Sequence, residues 1–151
     1  MHEKLDAASH PRLYEIRLLI CAAQADGYLD DIEQEKIFRQ VNLDIFSVRE
    51  RQIFHDDLEY PKNPKDLASE LSPYITDEEK MMLIRKMFKL VAMEKVMTNE
   101  ERRMIFITGC ELGIQDKKIE EIEQWVMEGV AWISRWDAIT GKSRLDIKGS
   151  T

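Results

Sequence analysis

The sequence predicts an all-α protein: one domain, a bundle of about seven helices, with two related helical hairpins and a long last helix. Three observations predict it. Gly and Pro are scarce, 6 and 4 in 151 residues, so turns are few and elements long. Apolar residues recur at helical spacing through most of the chain. And a nine-residue motif occurs twice, each copy following one apolar helical run and opening another.

The first copy is Ala25-Asp26-Gly27-Tyr28-Leu29-Asp30-Asp31-Ile32-Glu33, and the second is Met93-Glu94-Lys95-Val96-Met97-Thr98-Asn99-Glu100-Glu101. Asp26 and Glu94 stand 68 positions apart, as do Glu33 and Glu101. In both, a hydrophobic residue stands three positions after the leading acid and a second acid seven after it. The repeat predicts two hairpins with carboxylates at equivalent corners.

The elements follow in order. Residues 1–10 form an N-terminal segment. Pro11 suits a first helical position, where its missing N–H is no loss. Leu13, Ile16, Leu19, Ile20 and Ala23 then keep helical spacing to Asp26-Gly27, where Gly27 permits the left-handed closure of a helix. Asp30 caps the second helix, and Glu33 completes a capping box. Ser47 opens a third, which carries Val48, Ile53, Phe54 and Leu58. Tyr60 to Pro64 is a connection, because its two prolines interrupt any helix. A short helix carries Leu67, Ala68 and Leu71. Thr76 and Glu79 make a second capping box, and the helix after it is apolar over a wide arc (Met82, Leu83, Met87, Leu90, Val91), which predicts the central, most buried helix. Thr98 and Glu101 make a third box. Gly113 is the expected C-cap. The last helix runs from about Asp116 to Trp136. The ordered domain is expected over 11–138, followed by a flexible Gly/Ser/Lys-rich tail over 139–151.

The formal charge of −7 argues against a nucleic-acid partner, since phosphate backbones repel an acidic surface. No apolar run is long enough to span a bilayer and the N-terminus lacks the apolar stretch of a signal peptide, so a cytoplasmic protein with no membrane insertion is expected. Cys21 and Cys110 both lie in apolar helical runs and read as two buried free thiols. No Cys/His cluster, phosphate loop or nucleophile–base pair is present, and His2, His10 and His55 have no catalytic setting, so no enzyme is expected.

The first copy, Ala25-Asp26-Gly27-x-Leu29-x-x-x-Glu33, together with its degraded repeat, resembles the tellurite-resistance TerB-like family over about residues 13–122. The departure is Lys95, where the family usually has Gly. The resemblance implies a helical bundle of two pseudo-symmetric halves, a scaffolding role in stress response or at membranes, and no defined catalysis. Some members bind divalent cations such as calcium. Carried over, the candidate ligands are Asp26, Asp30 and Glu33 from the first copy and Glu94 and Glu101 from the second. Two readings of these acids stand. Calcium needs six to eight oxygens, which converging hairpins could supply. Capping alone also explains Glu33 and Glu101, and Lys95 can replace a metal with an ion pair.

The last helix offers the other candidate site. Trp125, Trp132 and Trp136 share one face, with Val126, Val130 and Ile133 beside it. The stripe either closes the core or docks a protein partner, a second copy included. Met81, Met82, Met87, Met93, Met97 and Met104 read mainly as core filling, secondarily as an adaptable groove.

Overall fold

The computed structural model describes residues 4–27, 29–39, 43–93 and 95–142. Among them are seven α-helices and no strand: α1 (Pro11–Ala23), α2 (Asp31–Arg39), α3 (Val48–Glu59), α4 (Pro64–Leu71), α5 (Asp77–Ala92), α6 (Asn99–Glu111) and α7 (Asp116–Ile139), with short 3-10 turns at Leu43–Ile45 and Ser72–Tyr74. The all-α bundle and its long last helix are as the sequence predicts.

Local chemistry sets the boundaries. Ser47, Thr76 and Thr98 each accept a hydrogen bond from the N–H three residues on, and the Glu side chain there accepts one from the cap's own N–H. Each box satisfies two amides that no helical carbonyl can reach. Asn63 caps α4, with Pro64 at its first position. Gly113 closes α6 at φ +90°, a backbone conformation that side chains with a Cβ resist.

Packing corrects one expectation. The centre of the bundle is α1, not α5. Nine of the 13 residues of α1 are buried, against six of the 16 in α5. The run from Leu18 to Ala23 is apolar on every side, and a helix apolar all round can only be interior. α1 packs against α3, α4, α5 and α6. α5 keeps a charged face through Arg85, Lys86 and Lys89, and its Met82 is exposed. The N-terminal segment joins the same core through Ala7.

The two hairpins of the repeat, α1–α2 and α5–α6, are embedded differently. α6 packs on α1, α4, α5 and α7. α2 is peripheral: Ile37 is buried, Phe38 half-buried against the Phe54 and His55 rings, and Ile32 exposed. A buried bidentate pair, Arg17 Nε and Nη2 to the Asp57 carboxylate at 2.8 and 3.1 Å, ties α1 to α3.

α7 lies along α5 and α6. Its approach to α6 is so close that a Cβ on Gly109 would sit 2.6 Å from Ile119 Cδ1. Arg102 of α6 clamps Glu123 with hydrogen bonds of 2.6 and 2.9 Å. Only Ile119 and Val126 of α7 are fully buried. No described helix is long and apolar enough to cross a membrane. Of the tail expected at 139–151, Ile139 ends α7, Thr140 and Gly141 form a turn, and 143–151 lie outside the described residues.

Candidate docking face on the last helix

Three tryptophans project from α7. Trp125, Trp132 and Trp136 are 60, 67 and 62% exposed. The core-closing reading of the stripe is therefore not the arrangement observed. Ile119, Ile122, Val126, Val130 and Ile133 occupy the inward face, and the tryptophans stand about a quarter-turn away from it.

Two grooves flank Trp125. One, of about 270 Å³, lies between Glu78, Met81, Met82 and Arg85 of α5 and Lys118, Glu121 and Ile122 of α7. The other, of about 520 Å³, runs from Lys89 and Met93 past Gly129 to Trp132 and Ile133. The pairing of 78 with 118 at one end and 93 with 129–132 at the other shows α5 and α7 running parallel. α5 ends at Ala92, so the last two turns of α7 overhang the bundle. There Trp132, Ile133, Arg135, Trp136 and Ile139 line a further, open hollow of about 430 Å³. The Arg85 guanidinium lies 5.7 Å from the Trp125 ring centroid, a cation–π contact that holds this indole on its groove.

Sequence reasoning ranks the α5 wall second, as an adaptable methionine groove, and misses Arg85 and Lys89 on it. Met87 is fully buried, as core filling requires, but Met81, Met82 and Met93 line the grooves. The signal lay in the spacing of Met82, Arg85, Lys89 and Met93, which places them along one edge of α5. The thiol expectation needs half a correction. Cys21 is buried, and burial pushes its pKa up to about 12. Cys110 is exposed, because it points away from the α6–α7 contact made by Gly109; its hydrogen bond to Asp116 raises its pKa.

At the acidic corners, Asp30, Glu33 and Glu101 are engaged with backbone amides and an ammonium. Asp26 is exposed, and Asp30 and Glu33 face each other as a box: Glu33 N–H donates to Asp30 Oδ1 at 2.8 Å, and Asp30 N–H to Glu33 Oε1 at 3.5 Å. Glu101 is fully buried, and Lys95 Nζ donates to its Oε2 at 2.6 Å while Thr98 N–H donates to Oε1 at 2.8 Å. Both oxygens of Glu101 are therefore engaged. Glu94 lies outside the described residues. Among the described residues, no three Asp, Glu, His or Cys side chains gather closely enough to hold a metal ion.

A family model described as "Protein of unknown function (DUF533)" matches residues 3–126. No curated protein and no solved structure matches the chain. The matched segment takes in α1 to α6 and ends at Val126, the last buried residue of α7. Trp132, Trp136 and Ile139 follow it, on the overhang. By a match over most of its length, this chain belongs to the DUF533 family.

Proposed function

We propose that this protein is a non-enzymatic, TerB-like binding module that acts as an adaptor through protein contacts on α7. The observation that carries the reading is the exposure of Trp132 and Trp136, 67 and 62%, on a helix that has left its own bundle. An indole in water forfeits the burial that makes Trp worth placing, and buried Trp is the most frequent anchor of protein interfaces. The repeated Asp26–Glu33 and Glu94–Glu101 motif on paired hairpins supports the TerB-like kinship, and with it a place in a stress-response or membrane-associated system. The cation-sensor reading has less in its favour, since Lys95 already neutralises Glu101.

The test is retention of proteins, this chain included, on immobilised wild type and on the Trp132→Ser/Trp136→Ser variant. Both residues are exposed, so the variant keeps its thermal midpoint. A protein held by the wild type and lost by the variant supports the reading, because an interface anchor contributes about 2 kcal/mol or more. Equal retention by both would reject it.

A further inference from the structure

The spacing and charge of the exposed α7 residues specify what covers them. Trp125, Trp132 and Ile139 are seven apart, and Gly129 and Trp136 follow the two tryptophans by four. Alternating steps of four and three make the seam of a two-helix coiled coil. The seam is distinct from the face that carries Ile119 and Val126, which the protein's own core occupies.

Beside the seam runs a second row at seven-residue intervals, Glu121, Glu128 and Arg135, all exposed, acidic at first and basic at its end. Such a row is complementary to itself when reversed. Two antiparallel copies of α7, related by a two-fold axis near Ala131, set Glu128 against Arg135 of the second copy, a pair that occurs twice. A parallel pair would instead turn this row toward Ile119 and Val126, which already face inward.

Side-chain sizes agree with the same axis. Trp132 falls opposite Gly129 of the second copy, and Trp136 opposite Trp125 of the second copy. Gly129 interrupts a helix where glycine is unfavourable, and a Cβ there would meet nothing within 4 Å in the monomer. Its own bundle gives no reason for the missing side chain; a facing indole does. The overhang of one copy would then lie in the α5–α7 groove of the other, beside Trp125, Met82 and Arg85. The exposed parts of three tryptophans amount to roughly 400 Å² per copy, and Ile139 and Met82 bring the two-copy total to the order of 1,000 Å², the lower end of what specific interfaces bury.

We propose that the docking face of α7 receives a second copy of this chain, in an antiparallel two-fold pair registered by Glu128–Arg135 contacts. The inference rests on the reading of α7 as a docking face. Sedimentation equilibrium of the full chain, from low to high micromolar concentration, tests it alongside acrylamide quenching of tryptophan fluorescence. The wild type is expected to dimerise. Arg135→Glu should weaken the dimer by about tenfold or more by facing acid with acid, and the swap Glu128→Arg/Arg135→Glu should restore it to within about threefold. A dimer indifferent to Arg135→Glu, or not rescued by the swap, overturns the proposed pairing. A monomer at every concentration also overturns it. If the tryptophans of that monomer are freely quenched, the docking face stands and takes another protein; if they are shielded, both readings fail.

Discussion

The two copies of the repeated motif use the same spacing and reach opposite electrostatic solutions. At the first corner, Asp30 and Glu33 form a loosely closed box at the edge of the molecule, leading into the peripheral helix α2. At the second, Glu101 has no exposed surface, and it caps α6 while binding the Lys95 ammonium. The cause is the neighbour. α6 is enclosed by α1, α4, α5 and α7, so its first-turn carboxylate is drawn out of water and needs a counter-charge. α2 leaves its carboxylates to solvent, which screens them. A shared sequence pattern thus fixes the cap and leaves the charge environment to packing.

Removing the counter-charge breaks that comparison most sharply. Lys95→Met should destabilise the fold by about 3 kcal/mol, near the low end for an orphaned buried charge because Lys95 is itself 34% exposed. Urea denaturation measures it, and Lys95→Met/Glu101→Gln should recover a good part of the loss by removing the stranded charge. A single variant within about 0.5 kcal/mol of wild type would show that water reaches Glu101.

The caps sharpen the same contrast at smaller scale. Thr98→Ala opens the box that holds a buried carboxylate in place and should cost about 2 kcal/mol, the upper end for a cap. Asp30→Ala, at the exposed corner, should cost about 0.5 kcal/mol. Equal losses would mean that α2 contributes as much to the cooperative unit as α6 does. The thiols offer a further reading of enclosure. Cys110 should react with a thiol reagent in the native state, while Cys21, buried and with its pKa pushed up to about 12, should react only on unfolding.

How much of this was legible in the sequence follows from range. Capping is a contact over three residues, so Thr76–Glu79 and Thr98–Glu101 could be read directly, and with them the starts of α5 and α6. Burial is a matter of what packs on top, so the wide apolar arc of α5 looked central while the all-round apolar run of α1 held the centre. The tryptophan stripe was visible as a stripe. Whether it faced the core depended on where α5 ends beside α7, a relation between segments about 40 residues apart that no local pattern encodes. The α5 methionines were undecidable for the same reason: helical spacing makes a stripe, and only the parallel α7 turns part of that stripe into the wall of a groove.

The smallest expected effect bears on what the corners are for. A ligand that binds only the folded state must raise its stability, by about 2.7 kcal/mol at a hundred times its dissociation constant. At the second corner, calcium would have to displace an ammonium already 2.6 Å from Glu101 and leave that ammonium without its partner. At the first, the exposed Asp30 and half-buried Glu33 carboxylates, which already accept from backbone amides, offer few free oxygens against the six to eight that calcium prefers. The chelator-treated protein should therefore melt at the same temperature with and without millimolar calcium, magnesium or manganese. A rise that disappears in Glu33→Gln/Glu94→Gln would reverse the comparison: the open corner would be a ligand site, completed by Glu94. No shift would leave the first corner a helix cap and the second a buried ion pair, with recognition carried by α7.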